Sequence, residues 1–211
     1  MGLLTIIRKS NYKDKQLRVL FLGLDNSGKS TIVKRLLKAP DWQDLSPTLG
    51  FDIQSLSYQG FTLNIWDIGG QKTLRPYWRN YFERTDGLIW VIDSYHRERM
   101  SECREELWNL MVAEDRLASC SLLVLANKQD IPGAMSLEEI GAALDLDELM
   151  RTRKGDASIL ACSAVQGRGY EEGLSWLVQD CKKRLYWSAS QSVEAKRASI
   201  AAQGADTATP T

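Results

Sequence analysis

The sequence predicts an α/β fold in which a mostly parallel β-sheet carries helices on both faces. Strand-like apolar runs alternate with helix-like segments from about residue 18 to residue 186. Two of the runs, Gly87–Asp93 and Leu122–Ala126, are almost unbroken, which is typical of central strands that are covered on both sides. Strands that alternate with helices in this way form βαβ units, whose strands are parallel.

The predicted elements follow one another in a regular order. Strands are expected at Arg18–Gly23, Phe51–Ile53, Phe61–Trp66, Gly87–Asp93, Leu122–Ala126 and Ser158–Cys162. Tyr58-Gln59-Gly60 predicts a hairpin turn between the second and third strands. Helices are expected, from apolar residues at helical spacing, at Ser30–Lys38, Glu98–Ala113, Leu137–Leu144 and Glu171–Leu185.

Length and composition suit one domain with an extension at each end. The 211 residues include 27 basic and 27 acidic side chains, and this balance argues against bulk electrostatic binding to nucleic acid. The four cysteines form no CxxC pair, so we expect thiols in a reducing compartment rather than zinc or disulfides. No run is long enough to span a bilayer, and we expect no secretory signal. Together these features predict a cytoplasmic protein.

The two ends differ in composition from the middle. Residues 1–17 are expected to form an amphipathic helix and a linker, because the apolar residues of Leu3–Ile7 would share one helix face. Residues 18–186 are the predicted domain. Residues 187–211 are expected to be a disordered tail, since Ala, Ser and Thr fill 14 of the last 24 positions.

The strongest motif is a phosphate-binding loop between the first predicted strand and the first predicted helix. Residues 23–30 match GxxxxGK[ST] completely. Backbone N–H groups of such a loop form a nest for phosphate oxygens at a helix N-terminus. Lys29 adds positive charge at the β and γ phosphates, and Ser30 offers an oxygen ligand to Mg²⁺. The expected nucleotide-binding residues are Gly23, Leu24, Asp25, Asn26, Ser27, Gly28, Lys29, Ser30 and Thr31.

A second motif, DxGGQ at residues 67–71, follows the strand Phe61–Trp66. Asp67 can hold Mg²⁺ through a water, Gly70 can present its N–H to a γ-phosphate, and Gln71 can orient the attacking water. Taken alone, this string fits a surface turn equally well, but a phosphate loop beside it favours the catalytic interpretation.

Thr48 lies between these two motifs, in the string Ser46–Phe51. Its hydroxyl could ligate Mg²⁺ while its N–H touches the γ-phosphate, and an ordinary Pro-Thr turn is the alternative. Gln71, Thr48 and Lys29 are therefore the predicted catalytic residues.

A third motif, residues 127–130 with the sequence NKQD, is expected to select the base. Guanine presents two hydrogen-bond donors side by side, and the Asp130 carboxylate can accept both. Adenine would leave that carboxylate unpaired, which discriminates strongly. Asn127 can bridge the base and the phosphate loop, and the Lys128 stem can cover the ring face. Ser163-Ala164 could supply an N–H to the guanine carbonyl. The predicted cofactors are GTP or GDP with Mg²⁺.

In order and spacing, these motifs resemble those of Ras-like small GTPases, and Asp25-Asn26 and Trp66–Gln71 resemble the ADP-ribosylation factor family in particular. Shorter strings at residues 1–6, 46–51 and 77–82 extend the resemblance, which covers about residues 1–186. It implies a P-loop NTPase fold with a six-stranded sheet that has one antiparallel edge strand. It also implies a monomer that cycles between GDP and GTP.

The resemblance further implies how such a switch works and what it binds. Loops around Thr48 and Gln71 would reorder with the nucleotide, and the hairpin near Gly60 would shift register and displace the N-terminal helix. The implied partners are a tubulin-folding cofactor, a carrier of lipidated cargo, and activating and exchange proteins. An association with the cytoskeleton or centrosome is implied with them.

Three positions depart from the patterns of related proteins. Gly2 suggests N-myristoylation, but the acylation pattern has Ser or Thr where this sequence has Ile6, so we predict no acyl chain and weak or no membrane binding. Leu45 stands where G-protein α subunits carry an arginine finger, and Asp25 stands where Ras-type loops have glycine. Since an arginine finger contributes roughly 10³–10⁵ in rate, we predict very slow intrinsic hydrolysis that depends on an activating protein.

Two other classes of protein fit the sequence less well. A metabolic P-loop kinase would need an acceptor site and a basic lid, and residues 127–130 would have no purpose in it. A nucleotide-stabilised binding module without turnover stays open, because Gln71 and Thr48 argue against it without excluding it. Tyr77, Trp78 and Tyr81 fit either the core or an interface.

Overall fold

The computed structural model describes residues 15–44 and 46–184, and the sheet forms the centre of this part. The strands are β1 Gln16–Leu22, β2 Phe51–Tyr58, β3 Phe61–Ile68, β4 Gly87–Asp93, β5 Ser121–Asn127 and β6 Ala157–Ala161. Their order is β2-β3-β1-β4-β5-β6. The edge strand β2 pairs antiparallel with β3 and all other neighbours are parallel, which confirms the predicted fold class.

Five α-helices and three short 3-10 helices of the described residues cover the sheet. The α-helices are α1 Lys29–Leu36, α2 Met100–Ala113, α3 Leu137–Leu144, α4 Leu146–Thr152 and α5, which runs over residues 170–184 of the described chain. The 3-10 helices are Arg75–Tyr81, Arg97–Arg99 and Asp115–Leu117. Helix α3 begins where predicted because Ser136 and Glu139 form a reciprocal capping box.

Each face of the sheet buries its own apolar cluster. Successive side chains of a strand point to opposite faces, so Leu20 and Leu22 pack towards α2 and α3 while Val19 and Phe21 pack towards α1 and α5. All seven residues of β4 are buried. Burial on both faces is the reason that the central strands are apolar without alternation. All four cysteines are buried and carry thiols rather than disulfides.

The structure corrects two predicted boundaries and adds one helix. β1 begins at Gln16, so the end of the predicted 1–17 linker belongs to the sheet. β2 continues to Tyr58, because its backbone pairs with β3 along its whole length although half of its residues are polar. Helix α4 was not predicted; Leu146 and Leu149, one turn apart, bury its inner face.

Several predictions fall outside the described residues. They concern the N-terminal helix and the Gly2 acylation site, the arginine-finger position at Leu45, and the tail at 187–211. Within residues 15–44 and 46–184, no helix is both long and apolar enough to cross a membrane.

Candidate nucleotide-binding site

The phosphate loop links β1 to α1 at the edge of the sheet where the parallel strands end, and this is the edge at which open α/β sheets bind ligands. Two glycines give the loop its path. Gly23 has φ 138° and Gly28 has φ 92°, conformations that side chains disfavour. A Cβ atom at Gly23 would lie 2.3 Å from the Val91 carbonyl oxygen, and one at Gly28 would lie 2.2 Å from Asn127 Nδ2. Larger residues would therefore displace the loop from β4 and β5.

Lys29 projects back into the loop that precedes it. Its side chain is buried, and its Nζ donates to the carbonyl oxygens of Gly23 at 3.0 Å and Leu24 at 2.8 Å. Burial lowers the pKa of Lys29 to about 8, against the opposing effect of the Asp67 and Asp25 carboxylates. A phosphate anion in the loop would favour the charged ammonium.

Three side-chain oxygens converge beside Lys29. Ser30 Oγ lies 2.7 Å from Thr48 Oγ1, and the Thr48 hydroxyl is 3.3 Å from Asp67 Oδ2. Asp67 is buried, which raises the pKa of its carboxyl, and its Oδ1 has no hydrogen-bond partner among the described residues. Hydroxyl and carboxylate oxygens are the ligands that Mg²⁺ prefers, and an orphaned buried oxygen is costly unless it binds something. The donor set fits a magnesium ion and its waters.

The DxGGQ loop lies directly against the phosphate loop. A Cβ atom at Gly70 would come within 2.5 Å of the Asp25 nitrogen and the Gly23 oxygen. Gly69 donates to the Gly50 oxygen at 2.9 Å, which joins this loop to the segment that carries Thr48. Gln71 follows at a partly exposed position. The loops that carry Lys29, Thr48 and Gln71 therefore lie against one another.

The base-selecting motif is tied to the phosphate loop through Asn127. Its Nδ2 donates to the Ser27 carbonyl oxygen at 2.8 Å, and its Oδ1 accepts from the Ala164 N–H at 3.0 Å. Ser163 Oγ donates to Asp130 Oδ1 at 2.5 Å. The buried Asn127 amide therefore holds the phosphate loop, the NKQD motif and Ser163-Ala164 in a fixed arrangement. Asp130 lies at the end of the site away from the phosphate loop.

Sequence reasoning missed Asp93, at the end of β4. Its Oδ2 accepts from Lys128 Nζ at 2.6 Å and lies 2.7 Å from His96 Nδ1, so His96 has a specific partner. Lys128 holds the pKa of the Asp93 carboxyl below its usual range, against the effect of burial. The one sequence signal for Asp93 was its position at the end of a strand, next to the strand that leads into the NKQD motif.

Sequence reasoning also missed two arginines that neutralise Asp25. Arg99 Nη2 lies 2.8 Å from Asp25 Oδ1, and Arg75 Nη2 lies 3.6 Å from it. The carboxylate that Asp25 places in the phosphate loop is therefore compensated by two guanidinium groups. Neither arginine belongs to a recognisable motif.

The aromatic residues after Gln71 divide between core and surface. Trp78 is fully buried, donates from Nε1 to the Gly69 oxygen at 3.0 Å and meets Trp90 edge to face. Tyr77 is 60% exposed. Tyr81 packs with the half-exposed ring of Phe51, at a centroid distance of 5.2 Å, and with the ring of Trp66. An apolar surface therefore adjoins the loops that carry Thr48 and Gln71.

Comparisons with known proteins agree with this geometry. The family model of the ADP-ribosylation factor family matches residues 3–181. ADP-ribosylation factor-like protein 2 of Arabidopsis thaliana is 55% identical over 186 residues, which are 88% of this chain and 98% of the relative. The protein of that name from Drosophila melanogaster is 48% identical over the same shares. These relatives confirm the likeness suggested by the short strings at residues 1–6, 46–51 and 77–82.

A solved structure is also similar. The Arl6 small GTPase from Trypanosoma brucei, determined with a bound nucleotide analogue, GppNp, is 29% identical to this chain with a TM-score of 0.73. The match covers 80% of this chain and 98% of that one. The chain belongs to the ADP-ribosylation factor family of small regulatory GTPases, which bind GTP and GDP and hydrolyse GTP.

Proposed function

We propose that this GTPase holds its nucleotide between the phosphate loop at residues 23–30 and Asp130, and selects its partners by the nucleotide it carries. The observation that carries this proposal is the Asn127 side chain, whose contacts to Ser27 and Ala164 join the phosphate end to the base end. A pocket of fixed length suits a ligand with a base at one end and phosphates at the other.

At the phosphate end, backbone N–H groups from Leu24 to Thr31 and the Lys29 ammonium would bind the phosphate oxygens. Mg²⁺ would be held by Ser30 and Thr48, with Asp67 acting through a water, and the ion would neutralise phosphate charge when bound. The orphaned Asp67 Oδ1 supports this assignment.

Hydrolysis would depend on the loop that Gly70 and Gln71 form. The Gly70 N–H would contact the γ-phosphate, and the Gln71 amide would orient a water for in-line attack. Arg75 and Arg99 form ion pairs with Asp25 and with carboxylates of the helix α2, so neither is free to act as an arginine finger. We therefore keep the prediction of slow intrinsic hydrolysis and a need for an activating protein.

At the base end, Asp130 would accept both donors of guanine, and Ser163 would orient that carboxylate. Lys128 would lie along the ring face, held there by Asp93. The Ala164 N–H already bonds to Asn127, so its bond to a guanine carbonyl would have to be shared.

For cellular roles, we propose tubulin folding with a tubulin cofactor and release of lipidated cargo from carriers, in the cytoplasm and at the cytoskeleton or centrosome. The resemblance to the ADP-ribosylation factor-like protein 2 relatives supports this proposal. Exposed Leu49, Phe51, Ile53 and Tyr77 beside the nucleotide-dependent loops support partner binding there.

Capture of partners with two loaded forms tests the switch. Protein loaded with GDP and protein loaded with a non-hydrolysable GTP analogue are each incubated with purified tubulin cofactor and cargo carrier, and retained protein is quantified. We expect at least a 10-fold preference for the GTP-like form. Equal retention by both forms, together with no phosphate release from bound GTP, would favour the binding module without turnover.

A further inference from the structure

The side chain of Arg75 is buried at the start of the 3-10 helix Arg75–Tyr81, four residues after Gln71, with 5% of its surface exposed. Its Nε donates to the Gly70 carbonyl oxygen at 3.0 Å. Its Nη1 donates to Glu102 Oε1 at 2.8 Å and to Glu106 Oε1 at 2.9 Å, both on α2. The guanidinium thus joins the DxGGQ loop to a helix that contributes nothing else to the predicted nucleotide contacts.

The contact with Gly70 fixes a particular peptide plane. The Gly70 carbonyl and the Gln71 N–H belong to the same planar peptide unit. A hydrogen bond to that carbonyl therefore orients the peptide from which the Gln71 side chain projects. Trp78 Nε1 donates to the Gly69 oxygen at 3.0 Å and so orients the preceding peptide, whose N–H is that of Gly70. Two glycines in a row are conformationally permissive, and the 3-10 helix restrains both peptides from outside.

The anchorage on α2 is specific to an arginine. Glu102 and Glu106 are one helical turn apart, and their charges would repel each other without a cation between them. Arg75 lowers the pKa of the Glu102 carboxyl. A planar guanidinium can donate to one carbonyl and two carboxylates in fixed directions, whereas a lysine ammonium would act as a point charge on a flexible stem.

We propose that Arg75, held by Glu102 and Glu106, is the positioning residue that sets the Gly70–Gln71 peptide for GTP hydrolysis. The inference rests on the proposed roles of Gly70 and Gln71. Arg75 acts through the backbone and touches no reacting atom. Helix α2 thereby gains a mechanical connection to the catalytic loop, because a shift of its first two turns would move the guanidinium and the peptide that it holds.

Single-turnover hydrolysis of radiolabelled GTP, with protein in excess, tests this inference. Arg75→Lys is expected to lower the rate constant about 10-fold, because misplacement by about 1 Å can cost 10²-fold, while the Kd values for GDP and for a non-hydrolysable GTP analogue change by less than about 3-fold. Glu106→Gln, which leaves Glu102 in place, is expected to lower the rate about 2- to 3-fold. Glu105→Gln, at the exposed neighbouring position on α2, is the matched control and should leave the rate unchanged.

The split between rate and affinity separates positioning from a structural role. A rate within 2-fold of wild type in Arg75→Lys, or a loss of nucleotide affinity equal to the loss of rate, would overturn the inference. If Arg75→Lys does not fold, Glu102→Gln combined with Glu106→Gln is judged by the same criterion. Wild-type protein that binds no GTP, or releases phosphate no faster than buffer, would instead contradict the proposed function.

Discussion

The two ends of the central strands both bury charged groups, but within the described residues only the carboxyl end has a buried carboxylate oxygen without a hydrogen-bond partner. At the carboxyl end, Lys29 and Asp67 are buried beside backbone that curls inward, and an oxygen of Asp67 lacks a partner in the described chain. At the amino end, the Asp180 carboxylate accepts from Ser121 Oγ and is paired with Arg184 Nε at 3.4 Å. The seven residues of β5 separate these ends by about 20 Å. A buried carboxylate thus marks the binding end of the sheet where one of its oxygens has no hydrogen-bond partner among the described residues.

The amino-end network fastens α5 to the sheet. Ser121 Oγ donates to Asp180 Oδ2 at 2.5 Å, and Arg184 Nη2 donates to the Asp86 carbonyl oxygen at 2.7 Å and to Ser121 Oγ at 2.6 Å. Arg184 also donates to the Ser119 oxygen. We expect changes at this end to alter stability without altering nucleotide affinity, and changes at the carboxyl end to do the reverse.

The largest effect is expected from Lys29→Ala at the carboxyl end. The change removes charge-assisted hydrogen bonds to phosphate, each worth about 1.5–3 kcal/mol, so the Kd for GDP should rise about 10²-fold or more. The free energy of unfolding of the nucleotide-free protein should change by less than about 1 kcal/mol, because loss of two hydrogen bonds is offset by removal of a buried charge. Titration with a fluorescent GDP analogue and urea unfolding measure both; Lys34→Ala, on the same helix, is the control.

The next effect is expected from Arg184→Met at the amino end. Removing one partner of a largely buried ion pair leaves Asp180 uncompensated, and we expect the free energy of unfolding to fall by about 2–3 kcal/mol. The Kd for GDP of the folded variant should stay within about 2-fold of wild type. Urea unfolding measures the free energy of unfolding, and Lys183→Met, at an exposed neighbouring position, is the control. If Arg184→Met lost as much affinity for GDP as Lys29→Ala, the expected functional difference between the two ends would be contradicted.

A smaller, pH-dependent effect is expected from Asp156→Asn. A hydrogen bond and charge repulsion from Asp180 raise the pKa of the Asp156 carboxyl. Because the pKa of Asp156 is raised in the folded state, protonation of this carboxyl stabilises the fold. The stabilisation is complete below the unfolded pKa, near 3.8, and is lost as the pH rises through the folded pKa. The variant should therefore gain stability relative to wild type between pH 4 and pH 7, by less than about 1 kcal/mol because Asp156 is exposed. Urea unfolding of both proteins between pH 4 and pH 7 measures this change. A stability difference between variant and wild type that does not vary with pH would contradict the prediction.

Some parts of the fold and of the site could be predicted from the sequence, and others could not. The strands β4 and β5 could be predicted because burial on both faces leaves an unbroken apolar run. The binding loops could be predicted because their chemistry requires particular residues at fixed local spacing. Helix α4, by contrast, has only two buried residues in seven and gives no periodic signal.

The supporting ion pairs could not be predicted because they join residues far apart in the chain. Arg75 meets Glu106 across 31 positions and Arg99 meets Asp25 across 74. Charged residues at those positions are equally consistent with a solvated surface, and only the fold brings them together. The sequence therefore predicts the groups that would contact the nucleotide but not the groups that hold them.

Competition for the site tests the central claim most directly, namely that one pocket spans the phosphate loop and Asp130. A fluorescent GDP analogue is bound to wild-type protein and to Asp130→Asn, and is displaced with GTP, GDP or ATP. We predict that GTP and GDP displace it from wild type while ATP fails at about a 10³-fold excess, and that Asp130→Asn loses affinity for both guanine nucleotides. Equal displacement by ATP, or unchanged affinity in Asp130→Asn, would contradict the account.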